Sequence, residues 1–280
     1  MGTGRCLCGN VAYCTSTAAG STLHCHCSMC RKHHGTSFVT WTTVRDDGLE
    51  WTHGESGVVR YLSSPGTERR FCRTCGSKTP APAPGGSWFL PMGNLDGASH
   101  GPAMHIFAAS KAPWYEITDD LPVHAAYPPG VDAPPVERTL LAARTVGAIG
   151  GSCLCGDVAF EYESEPLFMM NCHCSRCRLG RSAAHATNLF VAAEQFRWVS
   201  GEDGVTVYDL PGAARFGIDF CANCGSCVPR VSKGTGRMVI PAGTLDADPG
   251  VRPAGHIFVA SKAPWFAISD GGPQFAAAAP

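Results

Sequence analysis

Fourteen of the sixteen cysteines in this chain follow one spacing pattern that occurs twice, and thiols so spaced could bind metal ions. Each copy combines a Cys-x-Cys pair, a Cys-x-Cys-x-x-Cys triplet and a Cys-x-x-Cys pair: Cys6, Cys8, Cys25, Cys27, Cys30, Cys72 and Cys75, then Cys153, Cys155, Cys172, Cys174, Cys177, Cys221 and Cys224. Four thiolates complete a tetrahedral zinc site, whereas three leave one coordination position open. Seven thiols therefore suit one closed site and one open site per copy.

The outer four thiols of each copy are predicted to hold a structural zinc ion. They are Cys6, Cys8, Cys72 and Cys75 in the first copy, and Cys153, Cys155, Cys221 and Cys224 in the second. A glycine follows each Cys-x-x-Cys pair, Gly76 or Gly225, and permits the tight backbone turn that such a knuckle needs. Four sulfur ligands leave no position for a substrate, and a site that joins distant segments contributes folding free energy.

The inner three thiols of each copy are predicted to form an open, catalytic zinc site. Cys25, Cys27 and Cys30 lie within six residues, as do Cys172, Cys174 and Cys177, so one turn can present each triplet to a single ion. The fourth ligand would be water, substrate or a distant side chain, and the open ion could bind a thiolate or polarise a carbonyl. The alternative is a second structural zinc ion, completed by a histidine.

Several histidines could take part in these sites. His26 and His173 lie between two cysteines of a triplet, so we expect their side chains to point away from the ion and support its ligands. His105 and His256 recur in identical local sequence, where an acid–base group, a fourth ligand or a packed, hydrogen-bonded histidine all stay open. Three more could reach the pocket, although nothing in the sequence fixes them there: His33, His34 and His185.

Four other residues have simpler interpretations. Trp114 and Trp265 each follow Ala-Pro, and tryptophans of this kind are typical of a core. Cys14 and Cys227 lie outside the duplicated pattern, since their counterparts are Glu161 and Lys78, and we interpret both as packed thiols. Cys227 closely follows the Cys-x-x-Cys pair, so a redox role is the alternative for it.

The duplication also predicts the domain organisation. Residues 105–114 and 256–265 are nearly identical, and the offset between copies changes only from 147 to 151 residues. A period of this length indicates duplicated domains, because solenoid repeats span about 20–50 residues. We predict a first domain over residues 1–120, a Pro-rich linker over 121–149 with a short helix at Val136–Val146, and a second domain over 150–280 that ends in a frayed tail from Gln274.

Short alternating or apolar segments predict a mainly β fold, with antiparallel sheets tied together by metal. No segment has a long 3.6-residue periodicity. The predicted strands lie at Val11–Tyr13, Ser37–Trp41, Val58–Leu62, Arg69–Phe71, Val158–Tyr162, Asn188–Val191, Val205–Leu210 and Arg215–Phe220.

Composition excludes some functions. The net charge is −1, with 22 Lys and Arg against 23 Asp and Glu, which argues against a nucleic-acid partner. No segment approaches a transmembrane span or a signal peptide, so we expect no membrane partner and a cytoplasmic location. A secreted disulfide scaffold is the alternative for a cysteine-rich chain, but Cys-x-Cys pairs are poor disulfide partners and Cys-x-x-Cys is a typical metal spacing.

Taken together, the motifs resemble the glutathione-dependent formaldehyde-activating enzyme family, which includes the centromere-protein-V-like proteins. The resemblance covers nearly all of both halves, and it is carried by Arg5–Gly9, Cys25–Lys32, Phe71–Ser77, Gly93–Asp96, Gly243–Asp246 and the His-Ile-Phe to Ala-Pro-Trp segments. It implies two tandem Mss4-like, or β-tent, domains that form a pseudo-dimer within one chain, which could be a monomer. It further implies structural zinc on the outer thiols and catalytic zinc on the inner ones, about four ions per chain.

The activity implied is that of a carbon–sulfur lyase, in which a thiol and formaldehyde are joined as an S-hydroxymethyl adduct. The expected partner is thus a small carbonyl or thiol molecule. Lys32 follows the first triplet and Leu179 stands at its counterpart, so the copies are expected to differ in charge near the open site. Two rival hypotheses stay open: a zinc-stabilised scaffold without catalysis, and a family member that converts a different small molecule.

Overall fold

The computed structural model describes residues 2–16, 22–97, 100–131, 140–163 and 165–280. In the first half it contains eleven strands and one α-helix among these residues: β1 (Gly2–Arg5), β2 (Ala12–Thr15), β3 (Leu23–Cys25), α1 (Ser28–His34), β4 (Val39–Arg45), β5 (Leu49–His53), β6 (Val58–Ser64), β7 (Thr67–Cys72), β8 (Ala81–Ala83), β9 (Ser87–Pro91), β10 (Leu95–Asp96) and β11 (His105–Ile106).

The second half repeats this order with small differences. Its described elements are β12 (Ile149–Ser152), β13 (Ala159–Tyr162), β14 (Phe168–Cys172), α2 (Ser175–Arg181), β15 (Ala186–Ala192), β16 (Phe196–Ser200), β17 (Val205–Asp209), β18 (Gly217–Cys221), β19 (Cys227–Val228), β20 (Arg230–Ser232), β21 (Arg237–Pro241) and β22 (Pro253–Ile257). All eight predicted strand regions overlap a strand. The mainly β fold of two tandem halves is confirmed.

Each half builds three small sheets. In the first half their strand orders are β10-β1-β2-β5, β11-β3-β4-β9-β8 and β6-β7; in the second they are β12-β13-β16, β20-β21-β15-β14-β22 and β17-β18-β19. Pairing among the described strands is antiparallel except where β11 runs parallel to β3, and β22 parallel to β14. These two parallel pairs place His105 beside His24 and His256 beside Asn171, next to the strands that end in Cys25 and Cys172.

The helices α1 and α2 are only seven residues long, which is why periodicity did not reveal them. A thiol begins each: the sulfur of Cys27 accepts a hydrogen bond from the backbone N–H of Cys30, and Cys174 does the same for Cys177. Each helix ends in a left-handed residue, Gly35 at φ 70° or its counterpart Ser182 at φ 54°. No helix in the described part of the chain is long and apolar enough to cross a bilayer.

The two halves share their cores. Trp114 of the first half packs among second-half residues that include Phe160 and Met169. Trp265 packs in turn among first-half residues that include Tyr13 and Phe38. The interpretation of both tryptophans as core residues is confirmed, and the exchange ties the halves into a pseudo-dimer.

Polar contacts also cross between the halves. Lys32 Nζ lies 2.7 Å from Asp246 Oδ1 and 2.8 Å from Ser152 Oγ, and both carboxylate and ammonium are buried. The positive charge of Lys32 therefore stabilises the contact between halves, rather than giving the first open site the extra charge expected from the sequence. Cys227 lies 3.2 Å from Lys78 Nζ, the residue at its own counterpart position, so this thiol is packed as interpreted.

Two segments outside the sheets are held by backbone hydrogen bonds. Residues 122–126, within the predicted linker, bond along β11; for example, the N–H of Phe107 donates to the carbonyl of Ala126. Residues 273–277 form backbone hydrogen bonds along β22 in the same way; for example, the N–H of Phe258 donates to the carbonyl of Ala277. The prediction of a frayed tail is therefore wrong for these residues. The predicted helix at Val136–Val146 lies partly outside the described residues, and residues 140–146 are not helical.

Candidate metal centres

Four clusters of thiols lie at the ends of strands and at the helix starts. In each cluster the sulfur atoms lie within 4.8 Å of one another: Cys6, Cys8, Cys72 and Cys75; Cys153, Cys155, Cys221 and Cys224; Cys25, Cys27 and Cys30; Cys172, Cys174 and Cys177. All sixteen cysteines belong to the described residues and none forms a disulfide. The fourteen thiols singled out by spacing are therefore brought together as four and three in each half.

The four-thiol groups are supported by a matching set of hydrogen bonds in both halves. In the first half, the N–H of Val11 donates to the sulfur of Cys6, and Ser77 Oγ lies 3.3 Å from Cys75 Sγ. Ser77 also accepts from the N–H of Leu7 at 3.0 Å, which joins the two ends of the site. The second half repeats these contacts with Val158, Cys153, Cys224, Ser226 and Leu154.

The thiols of a four-thiol group strongly shift one another's pKa values. Hydrogen bonds from Cys6 and Cys72 lower the pKa of Cys75 well below its ordinary value, while the hydrogen bond to Cys72 helps raise the pKa of Cys6 far above it. A cation bound among the sulfurs removes this competition because it can stabilise all four as thiolates. Four soft sulfur donors around one point match the preference of zinc.

The three-thiol groups each use one strand end and one helix start. Cys25 ends β3, Cys27 caps α1, and Cys30 lies in the first turn of α1. Within the described residues, no fourth cysteine, histidine or carboxylate joins either triplet in the same cluster. The triplets thus suit a zinc ion with one position left for an exogenous ligand.

A chain of two histidines and a carboxylate lies directly beside each triplet. His26 Nε2 is 2.8 Å from His105 Nδ1, and His105 Nε2 is 2.9 Å from Asp119 Oδ1. The second half repeats the chain with nearly the same distances, through His173, His256 and Asp270. Each chain runs from the buried residue between two thiols to a partly exposed carboxylate.

Burial favours the neutral form of His26 and His173. Desolvation, followed by the neighbouring His105, lowers the pKa of His26 to about 3, and desolvation with His256 lowers that of His173 to about 3. Because Asp119 accepts from Nε2–H of His105, Nδ1 of His105 accepts from Nε2–H of His26. Nδ1 of His26 is left as a buried acceptor without a hydrogen-bond partner among the described residues, as is Nδ1 of His173.

These contacts place the histidines considered from the sequence. For His105 and His256 they favour the buried, hydrogen-bonded alternative, since both lie on a strand, bonded at both ring nitrogens. His34 Nδ1 donates to the carbonyl of Arg181 across the halves. The ring of His185 lies beside that of His173, with centroids 5.0 Å apart and planes tilted by 51°.

Three site residues were missed by sequence reasoning. Asp119 and Asp270 each come five residues after the tryptophan of the repeated segment, and this shared spacing was a usable signal. The third is Arg69, whose guanidinium nitrogens lie 3.7 and 3.8 Å from the sulfur of Cys30. Its counterpart after the duplication is Ile218, so the repeat carried no signal for it.

Comparison with known proteins agrees with this geometry. A family model described as glutathione-dependent formaldehyde-activating enzyme matches residues 1–110 and 148–261, which together make up most of the chain. The chain belongs to this family. Its two matched segments confirm the tandem duplication, and its mainly β halves with their cysteine clusters are those of tandem Mss4-like domains.

Comparisons with solved structures and with curated proteins add no closer assignment. A Rhodobacter sphaeroides protein of known crystal structure is 24% identical in sequence to this chain. The match covers 35% of this chain and 90% of that chain, with a TM-score of 0.30. No curated protein sequence matches the chain significantly.

Proposed function

We propose that this protein is a zinc-dependent enzyme of the carbon–sulfur lyase type, which joins a thiol to a small carbonyl compound. With formaldehyde, the thiol sulfur bonds to the carbonyl carbon, the carbonyl π bond opens, and the thiol proton ends on oxygen, giving an S-hydroxymethyl product. The observation that carries the proposal is the triplet of thiols in each half, which has no fourth protein ligand among the described residues and lies beside the same His–His–Asp series.

Zinc would be held at four places, by the two four-thiol groups and the two triplets, about four ions per chain. At a triplet, bound zinc would lower the pKa of a thiol ligand or polarise a carbonyl oxygen. The four-thiol groups would have no such role because their coordination is complete.

The protein side chains would position the reacting groups. His26 is hydrogen-bonded to His105, which is hydrogen-bonded to Asp119. These hydrogen bonds hold the ring of His26, the residue between Cys25 and Cys27. The direction of both thiols is thereby restricted, which limits the geometry that an ion and its fourth ligand can take. His173, His256 and Asp270 would do the same for Cys172 and Cys174.

The proposed partners are a small thiol such as glutathione and a small carbonyl such as formaldehyde, without nucleic acid or membrane. The sixteen unpaired thiols suit a reducing compartment, and we propose a cytoplasmic location on that ground. One chain would suffice for the fold, since the pseudo-dimer lies within it.

The test is the rate at which zinc-loaded protein converts ¹³C-formaldehyde and a thiol to the S-hydroxymethyl adduct, followed by NMR. Glutathione, 2-mercaptoethanol and a thiol-free blank would be run together, with chelator-treated protein as the control. We expect zinc-loaded protein to exceed the spontaneous rate and chelated protein to fall back to it. Rates equal to the spontaneous reaction for every thiol would contradict the proposal and favour the scaffold alternative.

A further inference from the structure

The two triplets share their sequence pattern but not their surroundings. In the first half, Cys27 is 5% exposed and Met29, within its Cys-x-x-Cys turn, is 8% exposed. In the second half, the corresponding Cys174 is half-buried and Arg176, at the position of Met29, is exposed. The helix and its thiol cap are the same in both halves, so the difference comes from what packs on them.

A buried cation, Arg69, lies on the first triplet at a position where the second half has isoleucine. Both terminal nitrogens of Arg69 face the sulfur of Cys30, while Arg69 Nε donates to Ser63 Oγ at 3.1 Å. The counterpart Ile218 instead packs against Gly180, in the helix of the second triplet. A charge-assisted hydrogen bond from arginine engages the lone pairs of a thiolate that is already formed, so it makes that sulfur less nucleophilic and covers it on one side.

The ring of Tyr127 packs on the first triplet, whereas Phe216 and Phe258 pack on the second, which has no ring at the position of Tyr127. Tyr127 belongs to the apolar cluster that contains Cys25, Cys27 and Cys30, and its ring meets Phe107 edge to face with centroids 4.7 Å apart. Phe107 and Phe258 occupy matching positions, and their N–H groups donate to Ala126 and Ala277 respectively. The next residue in each half is therefore also matched, so the counterpart of Tyr127 is the exposed Ala278.

The same cluster continues into the other half. It includes Cys153, Cys221 and Cys224, three of the four thiols predicted to hold structural zinc in the second half. The second triplet belongs to a smaller cluster, in which Ala186 is the only other buried residue among those described, and partly buried Phe216, Ile257 and Phe258 pack against it. The first triplet is thus part of a continuous core, whereas the second lies at its edge.

We propose that the halves have divided their roles: the triplet of Cys172, Cys174 and Cys177 meets the substrate, while that of Cys25, Cys27 and Cys30 is a closed centre. Arg69 and Tyr127 are the residues that close it. For its chemistry this inference rests on the proposed function. The difference in access is a property of the chain itself and can be measured separately.

The first test measures the access of a small electrophile. Zinc-loaded protein is pulsed with iodoacetamide, which transfers its carbamidomethyl group to a thiolate and releases iodide, and each triplet peptide is quantified by mass spectrometry. We expect the Cys174 peptide to react about tenfold faster than the Cys27 peptide or more, because alkylation follows exposure and thiolate character. Equal rates, or a faster Cys27 peptide, would overturn the inference.

Two substitutions give the first half the residues of the second. Arg69→Ile and Tyr127→Ala, made separately and together, are expected to raise the alkylation rate of the Cys27 peptide toward that of the Cys174 peptide. Arg60→Ile is the matched control, since Arg60 is exposed on the neighbouring strand β6. If both Arg69→Ile and Tyr127→Ala fold and neither changes the rate at Cys27, these residues do not close the site.

The second test concerns catalysis and separates the two proposals. Adduct formation in Cys174→Ser is expected to fall to the spontaneous rate; turnover at the wild-type rate would overturn the division of roles. If wild-type protein itself forms no adduct with any thiol, the proposed function fails, while the alkylation rates still decide whether the first triplet is closed.

Discussion

At the scale of single residues, a thiol in this chain takes its role from the number of sulfurs that it faces. Cys72 lies in a group of four that joins the start of the chain to the end of β7. Cys174 lies in a group of three within one strand end and one helix turn. Loss of a ligand should therefore have different consequences in the two settings.

Replacement of Cys72 by serine is expected to cause misfolding, because zinc binding at a closed site supplies folding free energy. Cys174→Ser should leave the fold largely intact and remove about one readily chelated ion per chain. Circular dichroism, solubility and elemental analysis for zinc check both outcomes. A soluble, fully folded Cys72→Ser protein would contradict the structural assignment.

A second prediction at this scale concerns pH. Burial lowers the pKa of His34 to about 3, against about 6.5 in an unfolded chain. Between these values the unfolded state binds more protons, so the stability contributed by neutral His34 is complete above pH 6.5. It is then lost as the pH falls towards 3, by about 1.4 kcal/mol per pH unit.

His34→Gln should therefore give a shallower decrease in the free energy of unfolding between pH 6.5 and 4.5. Denaturant titrations at matched zinc content measure this slope in both proteins, so that acid loss of metal affects them alike. His53→Gln serves as the control, since His53 is exposed. An unchanged slope for His34→Gln would show that His34 is not held neutral by the fold.

At the scale of elements, the ends of the two short helices meet the opposite half. Gly35 ends α1 at φ 70°. A Cβ atom built there would lie 2.7 Å from both Arg181 Nη1 and Pro241 Cβ of the second half. Gly66 has nearly the same φ, 73°, with open space around it.

This pair separates backbone strain from crowding. Gly66→Ala should cost about 1 kcal/mol of unfolding free energy, from the left-handed backbone alone. Gly35→Ala should cost a further 1–3 kcal/mol or so, because the added methyl overpacks the contact between halves. Urea denaturation measures both, and equal losses would show that the halves can move apart at α1 without cost.

The same scale shows what the sequence could and could not predict. Strands were predictable because β2, β4, β6 and their counterparts carry alternating or apolar residues. The thiol groups were predictable because their ligands occur in closely spaced pairs and triplets that the duplication repeats. The helices were not, since two turns are too short to establish a period. Arg69 reaches Cys30, and Asp119 reaches His105, only through folding that brings distant segments together.

At the scale of the whole molecule, the duplication has become one body. Trp114 and Trp265 each complete the core of the other half. Gly93 and Gly243, from the repeated Gly-x-Leu-Asp turns, lie so close to the helix end of the opposite half that a Cβ atom would meet backbone atoms at 2.1 and 2.4 Å. Because each half lacks part of its own core, we expect both to unfold in a single transition.

The buried ion pair of Lys32 and Asp246 tests this view, because its two partners lie in different halves. Lys32→Met would leave a carboxylate that is 1% exposed without its cation, at a cost of about 3–5 kcal/mol. The double variant with Asp246→Asn should recover part of this loss, since Ser152 Oγ can still donate to the amide oxygen.

The matched control is Arg45→Met, which breaks an exposed ion pair of similar length with Asp47 and should leave the free energy of unfolding nearly unchanged. Unfolding is followed by tryptophan fluorescence and by zinc release, which report on the shared cores and the metal centres. If the halves are one cooperative unit, Lys32→Met shifts both signals by the same amount. A shift confined to one signal, or a split transition, would mean that each half is stable alone and that the buried pair only docks them.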